Sequence, residues 1–443
     1  MCKTPIADFV RRYAELSPVR LHMPGHKGLK TLGFEPFDIT EIDGADDLFA
    51  PNGIILKSEQ NAGGLFACPT YYSAGGSTLC IQTMLYLLQQ YAVQKGEKPY
   101  ILAGRNAHKA FINAAALLGI DVGWIYPKHA TYHSCPLTAA EVEEKIKKKR
   151  PTALYITSPD YLGNVTNIEE IAAVCHKHGV LLAVDNAHGA YLAFLEKSKH
   201  PIALGADICC DSAHKTLPVI TGGAYLHMAK SAPPLFFEKV KNAFSLFGSS
   251  SPSYLILQSL DMFNASAPAF SRRLSEFLPK AKQLKDRLAA HGFETVGTEE
   301  LKITIKTKPY GYLGTDFAKK LKTSGMYAEY ADPDFVVLML SPLFSDDEMA
   351  RLENALLSVP KKAPILQLPP AVPQPKTKFS PAEAIRLPSE RLCAENCENR
   401  VLALSAVGCP PAIPLVVCGE IIDRSVIENF NYYGIDTCDV CKI

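Results

Sequence analysis

The sequence predicts an α/β fold with a mostly parallel sheet covered by helices. Between residues 101 and 226, short apolar runs alternate with amphipathic stretches of helical length, which is the strand–helix–strand repeat of parallel sheets. Two of these runs end in clusters of polar side chains, and open α/β sheets bind ligands at the carboxyl ends of their strands. With 443 residues, 47% of them hydrophobic, the chain is long enough for two or three packed domains.

The elements are predicted in chain order from the spacing of apolar residues. Apolar residues at helical spacing predict an amphipathic helix within residues 1–20, and a second helix follows residues 74–78. The other elements are assigned from short apolar runs and from the helical repeat: strands at 100–103, 122–126, 153–157, 180–184, 208–210, 301–305 and 335–340, and helices at 139–149, 168–178, 271–291, 315–322 and 346–357.

Changes in pattern and composition divide the chain into four segments. Residues 1–265 carry both polar-tipped strands and are predicted to form a large domain with an N-terminal segment, and residues 266–358 a small α+β domain. Residues 359–376 carry six prolines among apolar residues and are predicted to be an extended linker. Residues 377–443 are a predicted C-terminal domain with two candidate helices.

The composition argues against several classes of function. A net charge of +1 offers no electrostatic surface for nucleic acid, so no such partner is predicted. The N-terminus lacks the apolar segment of a signal peptide, and no run approaches the roughly 20 apolar residues of a membrane span; a cytoplasmic protein without membrane association is predicted. The 13 cysteines are then expected to be reduced. The single CxxC motif at 438–441 lacks the further ligands that zinc needs, so no metal site is predicted.

The two polar-tipped strands point to a cofactor. Lys215 follows the run 208–210 within a cluster that includes Ser212 and His214, and Asp185 ends the run 180–184. A lysine amine can hold the aldehyde of pyridoxal 5′-phosphate (PLP) as a Schiff base, and a carboxylate can hold the proton on its pyridine nitrogen. A strand that ends in an aspartate and a later strand that ends in a lysine therefore predict a PLP site.

Two helix starts are candidates for the same site. Gly76, Ser77 and Thr78 open a predicted helix, where free N–H groups and the helix dipole favour a phosphate, although the pattern also suits an ordinary helix cap. His108 begins another predicted helix after the strand 100–103. It is either a helix cap or a side chain at the ligand-binding edge of the sheet.

These stretches resemble the fold-type-I PLP-dependent decarboxylases of ornithine, lysine and arginine, in the bacterial short form without an N-terminal receiver-like domain. The resemblance implies an aminotransferase-like fold: a PLP domain with a mostly parallel sheet, a small α+β domain and a C-terminal decarboxylase-type domain. It covers nearly the whole chain and rests on residues 21–28, 76–78, 105–109, 184–189, 212–218, 380–384 and 409–414.

The resemblance implies a role for each candidate residue. Lys215 would hold the cofactor, Asp185 would pair with the pyridine nitrogen, and His108 would stack on the ring. His188 would touch the ring oxygen or the substrate, and Glu420 would approach the cationic end of the substrate. The phosphate would be bound by Gly76, Ser77, Thr78, Ser212 and His214. A homodimer with a shared active site and a role in polyamine metabolism are also implied.

The sequence departs from the family at the substrate-facing rim and leaves other reactions open. Asn186 stands where the family has glutamate, and the tail carries Cys409, Ala412 and Cys418 at altered positions. An aminotransferase or aldolase is an alternative on the same fold, but no arginine lies between residues 287 and 351 to clamp a substrate carboxylate, which argues against transamination. A weakly active PLP-binding paralogue is the other alternative. Which basic amino acid is used stays open.

Overall fold

The main sheet has seven strands. The computed structural model describes residues 3–126, 131–404 and 412–443. The strands are β1 (Thr70–Ser73), β2 (Tyr100–Gly104), β3 (Asp121–Ile125), β4 (Ala153–Thr157), β5 (Leu181–Asp185), β6 (Ile208–Asp211) and β7 (Ala224–Met228). Their order across the sheet is β1-β7-β6-β5-β4-β2-β3. Strands β4, β5 and β6 pair in parallel, whereas β7 pairs antiparallel with both β6 and β1. The predicted α/β class with a mostly parallel sheet is confirmed, and the antiparallel edge is an addition to it.

The central strands are apolar because they are covered on both faces. Strands β4, β5 and β6 are buried along almost their whole length, and such strands read as continuous apolar runs in the sequence. The register pairs Ala183 with Ile208 and Asp185 with Cys210. The carboxyl ends of β5 and β6, where the polar clusters begin, are therefore neighbours.

Nine helices accompany these strands up to residue 291 in the described part of the chain. They are α1 (Pro5–Glu15), α2 (Ile54–Phe66), α3 (Gly76–Gln94), α4 (Lys109–Leu118), α5 (Ala139–Lys148), α6 (Ile168–Lys177), α7 (Ala213–Thr216), α8 (Pro234–Phe247) and α9 (Tyr254–His291). The helix predicted over 271–291 is the second part of α9, which continues through Pro268.

The chain divides into two compact units. The first comprises Met1–Ile101, Val142–Ser158 and Ile168–Ser271. The second comprises Leu102–Glu141, Pro159–Asn167 and Arg272–Ile443. The domain boundaries expected from the sequence at 265, 358 and 376 stay predictions.

The second unit contains a four-stranded antiparallel sheet in the order β10-β11-β9-β8, whose strands are β8 (Glu294–Val296), β9 (Lys302–Lys306), β10 (Tyr330–Ala331) and β11 (Phe335–Met339). Its further helices are α10 (Gly314–Thr323), α11 (Asp346–Leu357), α12 (Pro381–Ala384) and α13 (Arg424–Tyr433). Residues 360–376, all within the described ranges, contain no helix or strand. A two-stranded ribbon of β12 (Ser389–Cys393) and β13 (Thr437–Cys441) packs with α13 around Ile427, Phe430 and Val440.

Among the helices of the described residues, none combines the length and the apolar character that crossing a bilayer requires.

A buried carboxylate fixes the N-terminal helix in the first unit. Asp261 of α9 is fully buried, and its Oδ2 accepts hydrogen bonds of 2.9 Å from the backbone N–H groups of Ile6 and Ala7. Its Oδ1 accepts a hydrogen bond from the hydroxyl of Ser58. These contacts satisfy N–H groups of the first turn of α1, which have no partner inside the helix.

The pKa of Asp261 leads to a pH-dependent prediction. Burial raises this pKa to about 6, so between about pH 4 and 6 the folded protein holds a proton that the unfolded chain releases. The contribution of Asp261 to the free energy of unfolding is therefore largest below about pH 4, and it is lost as the pH rises through 6. We expect the difference in unfolding free energy between wild type and Asp261→Asn to shrink over that window, measured by denaturant titration at each pH. A difference independent of pH would contradict it.

Candidate active site

Asp185 ends β5 in a buried position at the edge where the polar clusters gather. Its side chain is 2% exposed. Oδ2 accepts a 3.1 Å hydrogen bond from the hydroxyl of Tyr155 on the neighbouring strand β4, and Oδ1 accepts one of 3.1 Å from the backbone N–H of Ala187. Both donors are neutral, so they hold the carboxylate in place without cancelling its charge. Such a carboxylate suits a protonated ring nitrogen.

Lys215 lies on the short helix α7, which follows directly after β6. The side chain is half-buried, and its Nζ lies 3.1 Å from Nε2 of His188. His188 follows β5 and is 5% exposed. The fold thus brings together the predicted lysine and one of the predicted histidines, from the segments that follow the adjacent strands β6 and β5. An amine beside an imidazole is a nucleophile with a proton acceptor in reach.

The predicted phosphate residues of the first unit lie at the start of α3 and at the end of β6. Helix α3 begins at Gly76, so that Ser77 and Thr78 lie in its first turn, where the N–H groups favour an anion. The hydroxyl of Ser212 donates a 2.8 Å hydrogen bond to the hydroxyl of Ser77. His214 donates from Nδ1 to the carbonyl of Gly223 at 3.0 Å.

The donor set fits PLP. One compact unit carries a lysine amine, a buried carboxylate at the next strand end, and two paired hydroxyls at the start of a 19-residue helix. These are the groups that an aldehyde, a ring nitrogen and a phosphate require. The assignment of the individual residues to these parts of the cofactor stays a prediction.

His108 belongs to the second unit. It is the N-cap of α4, where its Nδ1 accepts a 3.1 Å hydrogen bond from the backbone N–H of Ala110. The proton of the neutral ring is therefore on Nε2. The capping role that the sequence left open is thus present, and the ring-stacking role stays a prediction.

Glu420 also belongs to the second unit, and its carboxylate is engaged by the protein. It is 2% exposed and lies 3.1 Å from Nη2 of Arg105, which is itself 4% exposed. Oε2 accepts a further hydrogen bond of 2.7 Å from the backbone N–H of Val417. Burial raises the pKa of Glu420, and Arg105 opposes that rise. These contacts favour a structural role over the predicted contact with a substrate.

Arg105 joins the chain near Glu420 to the segment around β3. It donates hydrogen bonds of 2.9 and 3.0 Å to the carbonyls of Pro414 and Leu415, and its guanidinium lies 5.2 Å from the ring centroid of Trp124. Arg105 was part of the motif that carries the resemblance, but a contact 315 residues away along the chain leaves no local sequence signal.

Removing Glu420 is expected to destabilise the protein rather than to weaken substrate binding. Glu420→Ala leaves the guanidinium of Arg105 buried without its carboxylate, which costs about 3–5 kcal/mol of unfolding free energy. Denaturant titration measures this, with the exposed Glu398→Ala as control. If Glu420→Gln instead kept full stability and raised KM at least about tenfold, which corresponds to 1.4 kcal/mol, the predicted substrate role would be favoured.

The contacts of Asn186 explain why asparagine rather than the glutamate of the family stands at position 186. Asn186 is fully buried, and its Nδ2 donates a 2.7 Å hydrogen bond to Oδ1 of Asp211. A glutamate at position 186 would set a second carboxylate against Asp211 in a buried place, where like charges repel strongly. The asparagine is therefore matched to the aspartate of the neighbouring strand.

In the tail, Cys409 lies outside the described residues.

Sequence reasoning missed Tyr155, which holds the carboxylate of Asp185. Tyr155 stood within a predicted strand, and its side chain faces Asp185 because β4 and β5 are paired in parallel register. A tyrosine in a central strand is most often a core residue. The hydrogen bond to Asp185 became visible once the strand order was known.

An α/β fold with polar side chains gathered at the carboxyl ends of its strands is typical of enzymes that bind a ligand or cofactor there. Residues 4–310 match the family model described as Orn/Lys/Arg decarboxylase, major domain. The chain therefore belongs to the ornithine/lysine/arginine decarboxylase family, and the predicted enzyme class, a PLP-dependent amino-acid decarboxylase, is confirmed.

Similarity to relatives extends over nearly the whole chain, and solved structures share its fold. An arginine decarboxylase of Bacillus subtilis is 28% identical, with the match covering 97% of this chain and 93% of the relative. A lysine decarboxylase of Francisella novicida has a TM-score of 0.80 at 17% identity, over 99% of this chain and 81% of its own. Lysine decarboxylase A from Pseudomonas aeruginosa has a TM-score of 0.82 at 17% identity, over 99% of this chain and 80% of its own. At that identity the two structures show the fold.

Proposed function

We propose that this protein uses PLP to remove the α-carboxylate of arginine, lysine or ornithine as CO2, releasing the corresponding amine. The observation that carries the proposal is the 3.1 Å contact between Nζ of Lys215 and Nε2 of His188, at the strand end next to that of the buried Asp185. The similarity to a relative named arginine decarboxylase supports a basic substrate. A place in polyamine metabolism follows from such a product.

The residues of the first unit would each take one part of the cofactor. Lys215 would hold the aldehyde carbon, and Asp185 would hold a proton on the ring nitrogen. The phosphate would bind at Gly76, Ser77, Thr78, Ser212 and His214. When bound, PLP supplies an electron sink for the electron pair that remains when CO2 leaves.

His188 would accept the proton that the amine of Lys215 must lose. The lysine amine must lose its proton to attack a carbonyl carbon, and Nε2 of His188 is placed to accept it at 3.1 Å. The burial of His188 keeps bulk water away from this exchange. After CO2 has left, a proton must be delivered to the α-carbon, and the same pair lies at the strand ends where the substrate would bind.

Exposed apolar side chains support the proposed homodimer. In residues 16–37 of the first unit, Leu21 is 91% exposed and Leu32 is 77% exposed, with Leu16, Val19, Met23 and Leu29 similarly open. Several large apolar side chains left exposed within one segment are candidates for burial against a partner. The shared active site, the stacking role of His108 and the cytoplasmic location are parts of the proposal that come from the family resemblance.

The test measures CO2 release from arginine, lysine and ornithine at equal concentrations, with PLP present. We expect one amino acid to exceed the other two at least about tenfold in kcat/KM, because a buried site built for one cationic group leaves unpaired atoms with another. An intact cofactor absorbance without CO2 from any of the three would favour a PLP-binding protein without turnover. Release of a keto acid in place of CO2 would indicate transamination.

A further inference from the structure

The two cysteines of the CxxC motif at 438–441 have different surroundings in the second unit. Both lie on β13. Sγ of Cys441 lies 3.9 Å from the carbonyl oxygen of Ala384. Sγ of Cys438, in contrast, lies 3.2 Å from Sγ of Cys397, which is 41 positions away along the chain. The fold therefore pairs Cys438 with a cysteine outside the motif.

Strand pairing and core packing bring these two sulfur atoms together. Strands β12 and β13 are antiparallel, with Leu392 opposite Cys438. Directly after β12 the chain forms the short 3-10 turn Ala394–Asn396, and Cys397 is the C-cap of that turn. Cys397 is 0% exposed and Cys438 is 2% exposed, and both belong to the core cluster that contains Phe430. The surrounding side chains therefore hold the two sulfur atoms against each other.

The separation of the two sulfur atoms is short for side chains that are not bonded. Carbon atoms in van der Waals contact lie about 3.5–4.0 Å apart, and sulfur is larger than carbon, whereas Cys397 and Cys438 bring their sulfurs to 3.2 Å. A disulfide bond is about 2.05 Å long, so each sulfur has to move by only about 0.6 Å. Ordinary thermal displacements are about 0.5 Å along each axis. The reduced pair is therefore already close to the geometry that a disulfide requires.

In the reduced state the two thiols form a chain of weak hydrogen bonds. Cys438 donates to Sγ of Cys397, and Cys397 donates to the carbonyl oxygen of Cys393 at 3.2 Å. Burial raises the pKa of both thiols, so they are protonated near pH 7 and react slowly while they are buried. The ribbon of β12 and β13 has only two strands, and a ribbon of that size is marginally stable. Local opening of the ribbon would therefore admit a small oxidant.

We propose that Cys397 and Cys438 are a modification site, which a peroxide oxidises to an intramolecular disulfide. One sulfur attacks the O–O bond of the peroxide as a thiolate, which gives a sulfenic acid and one water. The other sulfur displaces the sulfenic oxygen as a second water, and the S–S bond forms. The two sulfurs lose two electrons to the peroxide, and both thiol hydrogens end in water. The disulfide closes the loop 397–438, which contains α13 and Glu420, and so restricts the unfolded chain.

The first experiment maps the disulfide in the full-length protein with PLP present. One sample is treated with hydrogen peroxide and another with a thiol reductant, and free thiols are alkylated before digestion with trypsin. We expect peptide 392–400 to be linked to peptide 425–442 in the peroxide-treated sample, and the link to disappear after reduction. If the two peptides stay unlinked after peroxide treatment, the proposal is overturned and the sulfur contact is packing alone.

Matched variants assign the link to one pair of sulfurs, because each peptide contains a second cysteine. The double variant Cys393→Ser, Cys441→Ser leaves one cysteine in each peptide and should keep the link, whereas Cys397→Ser should lose it. A link that persists in Cys397→Ser, or one that is lost in Cys393→Ser, an exposed position, would assign the disulfide to another pair and overturn the proposal. Fragment-ion masses of the linked wild-type peptides identify the same pair without any variant, so a variant that fails to fold does not remove the test.

Discussion

The Lys215→Ala variant is expected to lose CO2 release by at least about 10⁴-fold, the scale on which enzymes lose activity when their covalent residue is removed. It is also expected to lose the visible absorbance of bound PLP. No other amine has been assigned to the aldehyde. The neighbouring imidazole of His188, 3.1 Å away, can accept a proton but cannot replace the amine. Both losses are measured on the same preparation, by spectrum and by CO2 release.

The stability of this variant separates a chemical role from a structural one. Lys215 is half-buried on a four-residue helix, so its removal should change the free energy of unfolding of the PLP-free protein by less than about 1 kcal/mol. Lys230→Ala, an exposed lysine in the same unit, is the matched control and should keep both spectrum and turnover. Turnover that persists in Lys215→Ala would contradict the proposed function.

The site residues that could be predicted from the sequence are those marked by a pattern in the residues next to them along the chain. Asp185 and Lys215 each follow an apolar run, and burial on both faces makes β4, β5 and β6 uniformly apolar. The strand ends could therefore be located from pattern alone. The helical spacing of apolar residues likewise predicted helix α11 at residues 346–357. In the structure, Ser345 and Glu348 form a capping box at its start.

The part that could not be predicted depends on contacts between distant residues. Glu420 was identified as a functional carboxylate, but its ion pair with Arg105 spans 315 positions. Likewise, His200 and His227 lie 27 positions apart and meet at Asp211 because β7 folds back antiparallel beside β6. Strand pairing, rather than spacing along the chain, creates these contacts.

The Asp185→Asn variant is expected to keep PLP but to lose at least about a hundredfold in kcat, or about 3 kcal/mol of transition-state stabilisation. Asparagine has nearly the same shape and can still accept the hydrogen bond from Tyr155. It carries no charge, so it cannot hold a proton on the ring nitrogen, and the ring becomes a poorer electron sink. Because this charge acts in the transition state, kcat should fall more than KM rises.

Tyr155→Phe is the matched control for that charge. It removes one 3.1 Å hydrogen bond from the same carboxylate and leaves the ionised group in place, so we expect a loss of roughly tenfold, in line with a hydrogen bond of about 1–1.5 kcal/mol. Asp185→Glu keeps the charge on a longer side chain and should recover part of the activity lost in Asp185→Asn. If Asp185→Asn were as active as wild type while Tyr155→Phe was impaired, the carboxylate would be a structural partner of Tyr155, and another group would have to hold the proton of the ring.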